Sequence, residues 1–346
     1  MICKSVIPVN PVSLGSDTCQ KLYTPFKLIE LALIEENMGV LQQNQNMNII
    51  RFIAFFCLII FGIGLAISGC QDSTSNIDGS DKDSELVLRN YRLSGDETWE
   101  PDRTYIVHGT LEIPAEVTLE ILPGTVVKFD RDAQIKVSGL KAILKVGTPL
   151  TQTILDELVY LTSNNTHPRP GDWKGILFDI TRDATSYLRG TVIEFAQIAL
   201  DIKTTSPTVL DCTLRNNETA LALDGSDSII QYNDILENEI GISTIERQNR
   251  PQIQYNNINS NEFGIFCENV QSIIRHNNFE KNDYSIKLNV KFDLAIPDNW
   301  WGTLANNEIE RVILDSADTD IITKPIGTVT YTPIAETRFE EAGPRE

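Results

Sequence analysis

The chain has 346 residues, with 29 Lys and Arg against 48 Asp and Glu, a formal net charge of −19. That balance argues against nucleic acid, which needs a basic face to displace counterions, and against an anionic polysaccharide unless a cation bridges it. Three His, scattered, and three Met, all before residue 70, provide no ligand set for a soft metal, and no metal site is expected.

Residues 1–46 show no fold pattern and precede a complete export signal, so Met47 is the expected start. From there Met47-Asn48-Ile49-Ile50-Arg51 leads into an apolar run from Phe52 to Ile67, then Ser68-Gly69-Cys70. A basic start, a short apolar core and a small-residue site make 47–69 a secretory signal peptide. The run is shorter than the roughly 20 residues of a transmembrane span. A Cys directly after the site resembles the bacterial lipobox, which implies a diacylated Cys70 as mature N-terminus and a lipid anchor in the cell envelope. Gln71, where an inner-membrane retention signal would have Asp, points to the outer membrane if the host is Gram-negative.

Residues 70–95 are polar and acidic, without an apolar period, and read as a flexible tether. Removing residues 1–70 takes four charges of each sign and leaves 25 against 44, so the exported part keeps the whole acidic excess. A solvated surface that keeps the exported chain soluble and monomeric accounts for it.

Residues 96–303 carry a repeat. Starting from Leu188, Val209, Ile230, Ile253 and Ile274, the register advances by 21, 21, 23 and 21 residues. Five positions on, the column is Ile193, Leu214, Ile235, Ile258 and Phe279; twelve on, Leu200, Leu221, Ile242, Ile265 and Ile286. The position before the latter holds only Ala199, Ala220, Gly241, Gly264 and Ser285. Eight on stand Ala196, Asn217, Asn238, Asn261 and Asn282. A unit that cannot bury its own apolar face must stack on copies of itself. Short β-branched clusters separated by Asn, Asp and Gly make that unit a coil of strands. The Asn column is expected to form a ladder inside a tight bend, because Asn tolerates left-handed backbone and can satisfy buried polar groups. The competing leucine-rich repeat wants one Asn-type bend and mostly Leu, whereas these units have two such bends and mostly Ile.

These columns resemble the right-handed parallel β-helix of the pectate-lyase-like superfamily, in its branch of repeat-containing bacterial lipoproteins. Leu122-Pro123-Gly124-Thr125-Val126-Val127-Lys128-Phe129, Gly171-Asp172-Trp173-Lys174-Gly175-Ile176 and Asp298-Asn299-Trp300-Trp301-Gly302-Thr303 resemble recurring phrases of that family, extending the likeness from Thr104 to Thr330. The resemblance implies an all-β solenoid and leaves activity open, since one fold hosts many functions. Segment 304–335 is then expected to close the exposed end, with Trp99 at one end and Trp300-Trp301 at the other as caps, and 336–346 to be a frayed tail.

Two functional readings follow. Enzymes of this fold, lyases or glycoside hydrolases, group carboxylates on one outward face, and lyases add calcium. The catalytic candidates are Asp201, Asp211 and Asp224, which do not share one column, and outside the lyase case no cofactor is expected. The other reading is a structural or carbohydrate-binding module. Its candidate residues are Tyr232, Tyr255 and His276, stacked two positions after each register start, with Arg275 beside them. Such a strip, facing water, would stack on a neutral polysaccharide or envelope component; the competing role is an aromatic ladder that only stabilises its neighbours. Cys212 and Cys267 sit in different columns, two coils apart, and read as buried free thiols.

Overall fold

The computed structural model describes residues 85–181, 185–245, 249–318 and 325–345. The expected signal peptide, Cys70 and the expected tether as far as Ser84 lie outside the described residues. Eight coils, 97–113, 118–138, 143–179, 187–203, 208–224, 229–244, 252–267 and 273–288, each contribute one strand to each of three parallel sheets. We number the sheets in the order a coil visits them: coil 5 supplies Thr208–Leu210, Thr213–Arg215 and Thr219–Asp224 to the first, second and third.

The register is that of the sequence columns. Val209 pairs with Ile230, Leu214 with Ile235 and Leu221 with Ile242, and each step lands on the next copy. All of these side chains are fully buried, and burial of one aliphatic side chain of this size contributes about 1.5–3 kcal/mol. The small column follows from close backbone approach: a Cβ on Gly241 would stand 2.5 Å from the carbonyl oxygen of Gly264.

Two Asn ladders hold the corners, both on buried residues. At the bend between second and third sheets, the Asn238 backbone N–H and its Nδ2 both donate to Asn261 Oδ1 at 3.0 Å, and the same Nδ2 donates to the carbonyls of Leu214 and Leu236. Asn261 repeats this toward Asn282, and Asn217 toward Asn238. At the bend between first and second sheets runs a parallel ladder of Asn233, Asn256 and Asn277, closed by Asn299, whose Nδ2 donates to the carbonyls of Ile274, Ile296 and Pro297. Cys212 heads this second ladder. Its backbone N–H donates to Asn233 Oδ1, and burial pushes its thiol up to about 12. Cys267 is likewise free and buried.

The solenoid starts earlier than expected. Glu85–Arg89 is already a strand, paired in parallel with Thr104–His108, and Leu88 and Leu93 are buried, so the segment expected as tether to residue 95 includes part of the fold. The sequence hid this strand because it belongs to no complete coil and carries no Asn. Trp99 stacks on Tyr105 with centroids 4.3 Å apart near that end. At the other end Trp301 stacks on Phe279 and meets Tyr331 edge-on, and the short helix Asn306–Ile309 buries Ile309. Trp173, stacked on Phe129, is in the interior.

Asn261→Leu should lower unfolding free energy by about 2–4 kcal/mol, because it strands the Asn238 donors and the Ile235 carbonyl in a buried corner where an unpaired group costs about 1–3 kcal/mol. Chemical denaturation of the two proteins measures the difference.

Candidate functional site

The residue before each corner position of the second-ladder column, held by Thr191, Cys212 and then Asn, is turned away from the corner. Gly190, Asp211, Tyr232, Tyr255, His276 and Asp298 all have left-handed backbone, φ between 51° and 64°, because the chain must reverse there to turn the next side chain into the corner. Stacked at the coil pitch, these outward side chains form the aromatic column that the sequence suggests. Tyr232 and Tyr255 lie 5.2 Å apart with an interplanar angle of 8°, and Tyr255 and His276 5.0 Å apart at 31°. The rings therefore turn their faces to one another. A sugar stacks on a ring face, and here those faces are spent within the column.

The column is also covered, contrary to the expectation that it faces water and that the chain frays from Glu336. The C-terminal segment runs back across the coils over this corner. Phe339 meets Tyr255 and His276 edge-on at 6.3 and 5.4 Å. Two outward amides of the second sheet clamp the backbone. Asn278 Nδ2 donates to the Phe339 carbonyl while the Phe339 N–H donates to Asn278 Oδ1, and Asn257 Nδ2 donates to the Ala342 carbonyl. The Gly343 N–H donates to the Tyr255 carbonyl at 3.0 Å, and a Cβ on Gly343 would lie 2.4 Å from Asn257 Nδ2, so glycine is required by the close approach as well as by its φ of 96°. The Arg345 guanidinium lies 3.8 Å from the centre of the Tyr232 ring, covering its remaining face.

Arg345 ends in a buried charge cluster with Asp211 and Arg189. Its Nε and Nη2 donate to the two carboxylate oxygens of Asp211 at 2.7 and 2.9 Å, and Arg189 Nε donates to the same carboxylate at 2.9 Å. Burial alone would raise the Asp211 pKa; the hydrogen bonds from Arg345 and Arg189 overcome it and hold the carboxyl below the usual range. Arg189 also donates to the carbonyls of Pro149 and Gln152, tying down the long loop of coil 3.

The other two catalytic candidates lie elsewhere. Asp201 and Asp224 are on the outer face of the third sheet, where Lys203 pairs with Asp201 at 2.8 Å and aligns in register with Asp179 and Asp224. The Lys203 pKa is raised, first by its hydrogen bond to Asp201 and then by the neighbouring carboxylates. The fold thus splits the three candidates between two faces and gives Asp201 and Asp211 cationic partners. Arg275 is exposed at the rim of a shallow hollow of about 460 Å³ that also meets Arg250 and Gln271.

A second hollow, of about 330 Å³, was not anticipated. It lies at the corner of coils 2 and 3 and is lined by Asp130, Arg131, Ser163, Asn164, Asn165 and Asp172. His108 Nδ1 pairs with Asp130, Asn164 Nδ2 donates to Asp130 at 2.8 Å, and Ser163 Oγ donates to Asp172 at 2.7 Å. Only the register reveals it: Val107, Phe129 and Ser163 align in three successive strands, so the residues after them, His108, Asp130 and Asn164, meet.

Residues 172–296 match the family model described as right handed beta helix region. No curated protein and no solved structure matches the chain. The matched stretch contains coils 4–8, where both ladders lie, and with the parallel three-sheet topology it defines the class: a right-handed parallel β-helix.

The Asp211 knot should hold the C-terminal segment in a pH-dependent way. A carboxyl with a lowered folded pKa contributes stability that is fully present above its unfolded value, about 4, and is lost as pH falls through the folded value. Protection of the Gly343 amide from hydrogen exchange should therefore be constant from neutral pH to about 4 and fall on further acidification. Arg345→Ala should abolish it at every pH. Tyr232→Ala with Tyr255→Ala should lower thermal stability by roughly 1–3 kcal/mol through lost ring and cation contacts, read as the shift in melting temperature.

Proposed function

We propose that this chain is an exported, lipid-anchored β-helix that serves as a rigid structural and binding module of the cell envelope. The observation that supports this reading is the Asp211 knot. The side chains best placed for acid–base work on that corner are joined to the chain's own terminus, and Asp201 is joined to Lys203. A carboxylate held ionised between two guanidinium groups cannot serve as a general acid near neutral pH. The corner over coils 5–8 is used to fasten those coils to one another.

Carbohydrate binding at Tyr232, Tyr255, His276 and Arg275 is the narrower form of this reading. It requires the C-terminal segment to leave and the stacked rings to open a face. A lyase or hydrolase activity would require the carboxylates to be released from their partners.

The anchor is the testable half. Cys70→Ser should move the protein from the detergent-rich to the aqueous fraction of lysed cells, while the wild-type chain partitions with membranes. An unchanged distribution, together with a mature chain that still contains residues 47–69, would indicate a spanning segment instead. A glycan array with the exported protein, with and without calcium, tests the narrower form.

A further inference from the structure

One outward column of the third sheet is largely apolar, beside outward positions that carry Asp201, Lys203 and Asp224 in coils 4 and 5. In register across coils 4–8 stand Ile198, Thr219, Ile240, Phe263 and Tyr284, and the adjacent outward column carries Phe266 and Lys287. None of these side chains belongs to the hydrophobic core, and Phe263, Phe266 and Tyr284 are half-buried. Phe263 stacks on Tyr284 at 5.7 Å and 13°, and Lys287 Nζ lies over the rings of Phe263 and Phe266 at 4.5 and 5.1 Å. At about 4.8 Å per coil the column is roughly 19 Å long.

One residue earlier, at the bend, each of coils 5–8 presents a carboxylate: Glu218, Glu239, Glu262 and Asp283. The backbone fixes their stacking, since the N–H groups of Glu239, Glu262 and Asp283 donate to the carbonyls of Asn217, Asn238 and Asn261. Glu239, Glu262 and Asp283 are exposed, and among the described residues no ion pair involves any of the four. Like charges stacked directly opposite one another in a sheet are destabilising, so this row is a standing cost that a cationic partner would relieve.

We infer that the outer face of the third sheet over coils 4–8 is a docking surface for a segment of a partner protein in which basic residues flank apolar ones. Ring orientation selects a polypeptide over a glycan. Phe263 and Tyr284 face each other and Lys287 lies over Phe263 and Phe266, so much of the ring-face area is spent within the sheet and the surface offers chiefly ring edges and aliphatic side chains, which suit apolar side chains better than a sugar. Charge selects a basic segment, because the carboxylate row borders the apolar column over coils 5–8. The inference rests on the reading of the chain as a binding module and is independent of its lipid anchor and of the covered Tyr232 corner.

The test is binding of a labelled peptide of alternating Lys and Leu, about ten residues long, against its Glu and Leu counterpart and an uncharged gluco-oligosaccharide, followed by fluorescence anisotropy. The Lys and Leu peptide should bind at least about tenfold more tightly than the acidic one. Phe263→Ser with Phe266→Ser should weaken it by about the same factor, and Glu239→Gln with Glu262→Gln should weaken it severalfold and flatten its salt dependence. Glu100→Gln with Glu116→Gln, which removes the same charge from distant exposed sites, should leave it unchanged. Equal loss in that control pair would show diffuse attraction to net charge and overturn the inference. So would equal binding of both peptides, no binding of either, competition by the oligosaccharide, or a self-associated species in sedimentation that Phe263→Ser abolishes. Glycan binding at the Tyr232 corner with no peptide binding would preserve the module and remove this surface.

Discussion

A single constraint governs this molecule: every coil must turn its corners at the same pitch as its neighbours. A corner in a parallel β-helix points backbone donors and acceptors into a space that water does not reach. The Asn ladders meet that demand with one residue type. Within each ladder an amide oxygen accepts from both the backbone and the side chain of the coil before it, and the amide nitrogen of Asn238 reaches the next coil, a carbonyl of the preceding coil and a carbonyl of its own corner. The core columns of Ile, Leu and Val fall into register because the corners do. The left-handed residue ahead of each ladder Asn is a consequence of the same turn, and it determines which side chains are thrown outward.

A stack of this kind is quasi-one-dimensional, since each coil touches only the coils beside it. The C-terminal segment breaks that limit. It joins Asn299, Asn278, Asn257, Tyr255, Tyr232 and Asp211 in one run, so coils 5 to 8 and the closing segment are coupled by a chain that belongs to none of them. Its end is fixed by charge and its middle by aromatic edges and amide clamps. Opening a single coil at this end therefore disturbs contacts several coils away, which makes the end of the solenoid behave as a unit.

Ring orientation decides what the surface offers. In a ladder of identical coils, aromatic side chains at one register position stack on each other and turn their edges outward. This holds at the Tyr232 corner and again on the third sheet at Phe263 and Tyr284. Edges beside carboxylates suit apolar and basic side chains, whereas a sugar-binding platform needs an open face. The acidic excess of the chain is accordingly more than a solubilising coat: part of it is ordered into a row along an apolar column.

The repeat was legible because a solenoid writes its third dimension into its first: residues that touch recur at a fixed interval, so the Ile235 and Asn238 columns disclose core and corner without coordinates. Even the aromatic column was visible as a column. Its environment was not, because Asn257 and the carbonyl of Ala342 that covers it are 85 residues apart and follow no period. For the same reason the strand at Glu85–Arg89, outside the repeat, passed for tether, and the hollow at Asp130 and Ser163 emerged only from strand register. Sequence by itself determined the coil, its corners and its charge, since these depend on local turn chemistry repeated in place. Only the tertiary structure decided which outward faces remain open and which carboxylates are already paired, since that depends on where a non-repeating segment comes to rest.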